Sequence, residues 1–355
     1  MGYGLISDTH NHSWSAFSSV TTEGVNSRLQ QILDETWRAA VETRERGFEW
    51  LFHAGDLFHV RGSVAPSVLN PTIWLYRRII DELGLKVGVI PGNHDLEGNE
   101  SSQLSNASQA LAEAGVKVIT APAIIDSNAG GNKTRVALIP WAPSIAALRE
   151  QAAHLVEELA GTHCEFDLII HAPVDGVIAG IPDHGLTAEI LGALGFRRVF
   201  AGHYHNHKDM GHGVYSIGAL THQTWGDVGS KAGFLLVDEE VTYRASRAPK
   251  FIDLDPETDP DDVPLIVDGN YVRARVKVER ESQINEVRDW LMECGAAGVV
   301  IHPIREPKAI ERSASVKAGA SIEVSIAEFI KAKGFREQER LSKHCAAILA
   351  EVEEV

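Results

Sequence analysis

Five apolar runs in this chain each end in residues that ligate metals. Leu5-Ile6-Ser7 runs into Asp8-Thr9-His10, Trp50-Leu51-Phe52 leads to Gly55-Asp56, and Val87-Gly88-Val89-Ile90 leads to Gly92-Asn93-His94-Asp95. Leu168-Ile169-Ile170 closes on His171, and Val199-Phe200-Ala201 closes on Gly202-His203-Tyr204-His205. Short apolar runs stopped by Gly or Pro are strands buried on both faces. Sheets set between helices collect ligands beyond the carboxyl ends of their strands. The pattern therefore restricts the chain to an α/β fold in which five strand ends meet at one site. A lone histidine after a strand is ordinarily a hydrogen-bonded core residue; an ordered series of carboxylate, amide and imidazole is a ligand inventory.

Up to about residue 250, strands alternate with helical stretches. Val25 to Arg46 has helical spacing and stops at Gly47, and Pro71 to Leu83 is followed by Gly84 as a C-cap. Further helices are expected around Ser102–Ala114, Pro143–Leu159 and Thr187–Leu194. A strand pair at Val116–Ile125 and Arg135–Trp141 flanks a Gly/Asn turn, and Val214–Ile217, Phe234–Val237 and Val241–Arg244 read as a meander. This mixture of βαβ units and antiparallel strands predicts two packed mixed sheets with helices outside, a four-layer sandwich.

The expected domain organisation is a metal-binding domain over 1–250, a linker over 251–264, a small βαβ domain over 265–310 and a helical segment over 311–355. Asp253 to Asp262 carries six acids and no base, which marks the linker. Val272–Val278 alternates apolar and basic residues, Ser282 caps a helix through Met292, and Ala297–Pro303 returns as a strand. Arg273, Arg275 and Lys277 share one strand face, either as a solvated face or as a contact to a nucleic-acid backbone. Glu311–Ala320 reads as a loop before helices at Ile322–Lys333 and Glu337–Val352.

Composition narrows the class further. The 355 residues suffice for a substantial core. No apolar stretch reaches membrane-spanning length, and the three cysteines are scattered outside any metal-binding spacing, which points to a reducing, cytoplasmic setting. A net charge of −16 argues against a protein that coats nucleic acid, though not against DNA as a substrate, because bound cations would reverse the local potential. The ligand types suit two divalent ions bound through nitrogen and oxygen, which act as a clamp for phosphoryl chemistry. A histidine beside the cage that is not a ligand could protonate a leaving oxygen.

The series Asp8/His10, Gly55-Asp56, Gly92-Asn93-His94-Asp95, His171 and Gly202-His203-Tyr204-His205 resembles the calcineurin-like metallophosphoesterase superfamily. The block Gly55-Asp56-Leu57-Phe58-His59, with Pro66 and Ser67 after it, is similar to the SbcD-type nucleases of double-strand-break repair in bacteria and bacteriophages. That resemblance implies one metal held by Asp8, His10 and His205, and a second held by Asn93, His171 and His203, with Asp56 bridging. It implies His94 as the catalytic acid and His59 near the substrate phosphate; Tyr204, within the last motif, is read separately as either a packed residue or a substrate contact that stacks on a base. Manganese is the implied metal, with iron, zinc or magnesium as alternatives. The implied activity is cleavage of duplex DNA ends and nicking of single strands by a homodimer working with an SbcC-type ATPase. A phosphodiesterase or phosphatase for nucleotides or small phosphoesters is the alternative that shares the cage. Two departures stand out. Ala172-Pro173 follows His171 where those nucleases commonly carry a glutamine-glycine pair, and the loop from Asn11 to Thr22 is individual, with Trp14 and Phe17 as a DNA-facing wedge or a hydrophobic anchor. His12 and His53 read as packing or surface residues, the cluster His207, His212 and His222 is assigned neither to the cleft wall nor to a metal, and Asp95 either orients His94 or caps the local backbone.

Overall fold

A computed structural model describes residues 2–99, 104–129, 132–278, 280–304 and 320–353. The chain begins with β1 (Tyr3–Ile6), α1 (Ser27–Glu45), β2 (Trp50–His53), α2 (Pro66–Leu83), β3 (Lys86–Val89) and β4 (Lys117–Val118), all four strands parallel. It then crosses to a second sheet through β5 (Ala123–Ala129), β6 (Asn132–Ile139), α3 (Ile145–Glu158), β7 (Asp167–His171), α4 (Ala188–Gly192), β8 (Arg198–Gly202), β9 (Lys208–Asp209) and β10 (Val214–Ser216). The hairpin β11 (Gly233–Val237) and β12 (Val241–Ala245) returns to the first sheet, antiparallel to β1. The strand orders are β12-β11-β1-β2-β3-β4 and β5-β6-β7-β8-β10-β9, so both sheets are mixed.

Alternation along the strands builds three cores. Tyr3, Leu5, Trp50, Phe52, Ile169 and Phe200 fill the space between the sheets. Ile6, Leu51 and Val87 point to the opposite face of the first sheet, under α1 and α2, while Leu168, Ile170 and Val199 pack beneath α3 and α4. Fully burying one such large apolar side chain contributes roughly 1.5–3 kcal/mol. Burial on both faces makes these strands continuous apolar runs, as the sequence predicts, and gives the expected four layers. Register then aligns the strand ends. Ile6 sits opposite His53, His53 opposite Val89, and His171 opposite Gly202.

Several boundaries differ from the sequence reading. The helix expected from Pro71 begins at Pro66, with Pro71 inside it; Pro66 already occupies the first turn, where a missing N–H costs nothing. The helix expected at Ser102–Ala114 is a 3-10 stretch, Ala107–Ala114, and Ser102 lies outside the described residues. The expected strand Val116–Ile125 divides into β4 and β5, which belong to different sheets. Thr120–Pro122 is the crossing, and Pro122 removes a donor that a continuous ladder would need. The expected meander divides as well: β10 pairs in parallel with β8, whereas β11 and β12 edge the first sheet.

Beyond residue 250 a third sheet follows the order β13 (Phe251–Leu254), β14 (Tyr271–Lys277) and β15 (Gly298–Ile304), with α5 (Val263–Val267) and α6 (Ser282–Glu293). The start of the acidic stretch is thus a strand, because Phe251 and its neighbours pair with Tyr271–Ala274. Ser282 is the first helical residue rather than the cap, which is Glu281. Residues 1–276 and 280–302 form one compact unit, and residues 277–279 and 303–355 form another. The second contains α7 (Ile322–Lys333) and α8 (Gln338–Glu353), and the expected loop 311–319 lies outside the described residues.

Candidate metal centre

The loops leaving β1 and β2 run side by side before either presents a ligand. The Asp8 N–H donates to the Gly55 carbonyl (3.0 Å), His10 N–H to Asp56 (2.9 Å) and Asn11 N–H to Leu57 (2.7 Å). Asp95 ties in the third loop. It is fully buried and accepts the N–H groups of Gly92 (2.9 Å), Phe58 (2.9 Å) and Leu57 (3.2 Å). Asp95 therefore braces the loop that carries Asp56 and His59, and its contacts are to backbone rather than to the His94 ring. Glycines permit the approach. A side chain at Gly92 would collide with Asp56, one at Gly55 with the His171 ring, and one at Gly202 with Ser7 and the Ala54 carbonyl.

Four of the seven expected ligands adopt positive φ: Asp8 (51°), His10 (45°), Asp56 (55°) and His203 (102°). Non-glycine residues rarely hold that conformation, and such strain concentrates at functional sites. Turning the backbone left-handed after the strand aims each side chain back across the strand ends.

All seven expected ligands come together. Asp8, His10 and His205 form one group, and Asp56, His171 and His203 form another, each with its donor atoms within 4.8 Å of one another. Asn93 joins the second group, its Oδ1 lying 3.3 Å from His171 Nε2 and 3.0 Å from His203 Nδ1. Asp56 belongs to both, because its Oδ2 is 3.6 Å from His10 Nε2 and 3.4 Å from His171 Nε2. His10 Nε2 and His205 Nε2 stand 3.2 Å apart. Two nitrogens bound at right angles to one ion, each at about 2.1 Å, would be separated by about 3 Å. The donor set and spacing fit a pair of divalent cations.

Charges in the cluster point the same way. Burial alone would raise the Asp56 carboxyl, but the His171 and His10 imidazoles hold it well below the usual carboxylate range. Burial lowers His171, yet the facing Asp56 raises it to about 9, and His205 is raised against burial by Asp227 and Asp8. Burial pushes His10 well down and His203 to about 3, leaving their lone pairs free. Protons thus sit where carboxylates demand positive charge, and metal binding at such sites displaces protons.

Outer contacts fix the tautomers. His171 Nδ1–H donates to the Ala54 carbonyl (2.7 Å), which leaves Nε2 facing the cluster. His205 Nδ1 donates to Asp227 Oδ1 (2.7 Å) and likewise turns Nε2 inward. Asp227 is a site residue that the sequence reading missed. Its other oxygen accepts the N–H groups of Gln223 (2.7 Å) and Thr224 (2.9 Å), and Gln223 Nε2 donates to the Asp8 carbonyl (2.7 Å). The signal was present as the capping-box spacing Thr224-Trp225-Gly226-Asp227. In Asp227→Asn the new amide can keep the cap and donate to His205 Nδ1, which shifts the ring proton to Nε2 and blocks that nitrogen. The apparent affinity for Mn²⁺ should then fall about 10- to 100-fold in a calorimetric titration. Turnover should recover at saturating metal, which a general loss of structure would not allow.

His94 and His59 lie at the rim. His94 N–H donates to Asp56 Oδ1 (2.8 Å), and its ring Nδ1 donates to the His59 carbonyl (2.6 Å). His59 Nδ1 is 3.4 Å from His10 Nδ1, so His10, His59 and His94 make a third group of converging nitrogens. Burial, with His12 and His94 nearby, lowers His59 to about 4. Trp14 packs on it at 4.4 Å between ring centroids. Phe17 turns away to stack on Tyr271 (5.0 Å, 11°), which makes it an anchor for its loop rather than a wedge. Tyr204 is half-buried 5.0 Å from the His203 ring and packs against the core under α3 and α4. His53, His207 and His222 are held by Thr9, Ser216 and the Phe251 N–H, and none belongs to the converging donor groups found among the described residues. His12 is half-buried beside Trp14 and His59. Arg273 is paired with Asp253 and lies over Trp225, which takes it out of a free basic face.

A family model described as calcineurin-like phosphoesterase matches residues 1–207. No curated protein matches the chain. Among solved structures it is similar to TT1561 of Thermus thermophilus, with 12% identity, 69% of this chain and 99% of that one covered, and a TM-score of 0.44. It is similar to a dimetal phosphatase from Danio rerio (13%, 69% and 96%, TM-score 0.45) and to Pseudomonas putida nuclease MPE (20%, 58% and 62%, TM-score 0.28).

Proposed function

We propose that this chain, which belongs to the calcineurin-like phosphoesterase family, is a two-metal DNA nuclease of the SbcD type. It would cleave duplex ends in the 3′ to 5′ direction and nick single strands, acting in the cytoplasm as a homodimer with an SbcC-type ATPase. The observation that carries the phosphodiester chemistry is Asp56 Oδ2, which faces His10 on one side and His171 on the other. In this reading Asp8, His10 and His205 would hold one ion and Asn93, His171 and His203 the second, with Asp56 shared between the two groups. Two such ions, Mn²⁺ by preference with Fe, Zn or Mg as alternatives, would supply Lewis-acid polarisation of the phosphate and activation of water.

The protein's own residues then divide the work. Because His94 Nδ1–H is donated to the His59 carbonyl, Nε2 is the ring nitrogen left to deliver a proton to the leaving oxygen, which it does from the imidazolium form. His59 and Trp14 form an aromatic flank that can position a strand beside the ions. Support for DNA comes from the Gly55–His59 block, whose Leu57 and Phe58 N–H groups are held by Asp95 so that His59 emerges at the rim. The α7–α8 unit leaves Ile322, Val324, Phe329 and Ile348 exposed, which supports a docking role for that segment. The net charge of −16 favours the second reading, a phosphodiesterase or phosphatase for nucleotides or small phosphoesters, because a polyanion gains little from an acidic surface.

One assay separates the two: protein with Mn²⁺ and end-labelled duplex or single-stranded DNA, with and without the ATPase, beside a chromogenic phosphodiester. Shortened or nicked DNA is the expected result. Turnover of the small ester with DNA untouched, even with the ATPase present, would transfer the assignment to the second reading. A monomeric mass at high concentration would remove the dimer.

A further inference from the structure

An apolar pocket opens directly beside the second ligand group. It has a volume of about 240 Å³, and His171 and His203 form part of its wall. Trp141, Pro143, Ser144, Ile145, Pro173 and His184 are among the others, with no carboxylate, ammonium or guanidinium among the described lining residues. Trp141 provides the one large flat surface. Its ring leans on His203 with centroids 5.4 Å apart at 32°, and its backbone N–H donates to the Pro91 carbonyl (3.0 Å) just past the end of β3. The platform is therefore tied to the same strand end that delivers Asn93.

The opposite wall is also held in place. Asp175 accepts the N–H groups of His184 (2.7 Å), Gly185 (2.8 Å) and Leu186 (2.9 Å), so the loop carrying His184 is fixed at three points. A wall fixed before binding spares the cost of ordering it when a ligand enters. The pocket combines an indole face, two proline rings, aliphatic side chains and imidazole edges. That chemistry accepts a flat aromatic ring with polar edges, and among the described residues no charged Lys, Arg, Asp or Glu side chain lines it.

We propose that this pocket is a nucleobase subsite in which Trp141 stacks on a base flanking the scissile phosphate. The inference rests on the nuclease reading above. A phosphodiester at the two ligand groups would extend one ester arm towards each side, and an arm passing His171 and His203 would reach the pocket that Trp141 lines. Stacking on an aromatic platform tolerates any base, so the subsite would grip DNA without reading its sequence. The departure at Ala172-Pro173 shapes this wall, because Pro173 lines the pocket.

The test uses single-stranded oligonucleotides with one cleavable linkage, either with both flanking bases or abasic on one side or the other, with Mn²⁺. For the intact strand, Trp141→Ala should raise KM about tenfold, and Trp141→Phe should restore most of the loss. Removing the base on one side should raise the wild-type KM similarly and erase the difference between wild type and Trp141→Ala. Equal KM increases in Trp141→Ala on intact and abasic strands would show that Trp141 only supports His203, and would overturn the subsite alone. If wild type turns over a chromogenic diester yet leaves every oligonucleotide intact, the nuclease reading fails and the subsite with it.

Discussion

Asp56→Asn should reduce phosphodiester turnover by at least about 10³-fold, or about 4 kcal/mol in transition-state stabilisation. Bound metal should fall from two ions per chain to one or fewer. The reason is geometric. Asp56 is the residue whose carboxylate faces both ligand groups, with Oδ2 3.6 Å from His10 and 3.4 Å from His171. Two divalent cations held close together repel each other strongly, and a negative charge between them is what makes that arrangement tolerable. An amide preserves the shape, and its oxygen can still accept the His94 N–H, but it carries no charge. Elemental analysis of dialysed protein, alongside Mn²⁺-dependent turnover, reads both effects. Two tightly held ions and wild-type turnover in Asp56→Asn would remove Asp56 from the centre of the mechanism. A thermal melt of the metal-free variant distinguishes loss of the site from loss of the fold.

His94→Ser should behave differently. Metal content should stay at two, while DNA cleavage falls about 10²- to 10⁴-fold, the usual contribution of a positioned general acid. The loss should be much smaller on a nitrophenyl diester, whose leaving oxygen departs without a proton. Hydrogen bonding supports this division of labour: His94 Nδ1 is engaged by the His59 carbonyl at 2.6 Å, which fixes the ring and leaves one nitrogen to exchange a proton. The competing role is visible in the same geometry, because His94 also converges with His10 and His59. If His94→Ser loses an ion, and its rate falls equally on both substrates, His94 is a ligand.

Much of this architecture was legible in the residues. Leu5-Ile6, Trp50-Leu51-Phe52 and Leu168-Ile169-Ile170 are apolar at every position because each strand lies between a helical layer and the inter-sheet core. The imidazoles and carboxylates of the site come at or just past the last strand residue, as His53 ends β2 and His171 ends β7, so the change of chemistry marks the strand end. α1 and α3 also fall close to their expected bounds, since Asn26 and Ser144 accept N–H groups of the first turn. Sheet membership was not legible. Val116–Ile125 reads as one strand, and Val214–Ile217 reads as one meander with Phe234–Val237, yet each is divided between sheets. β propensity records that a residue suits a half-buried pleated surface, and two such surfaces face each other here.

The site divides along the same line. Ligand identity belongs to the sequence by itself, because Asp, Asn and His at strand ends offer nitrogen and oxygen donors wherever the strands are placed. Only the tertiary structure decided which donors face one another, since register and left-handed backbone at Asp8, His10, Asp56 and His203 set the direction of each side chain. It alone joined Asp227 to His205, set Trp141 against His203, and turned Phe17 onto Tyr271. Those are contacts between residues distant along the chain, and they exist only after two sheets have packed and a third has closed over the loop.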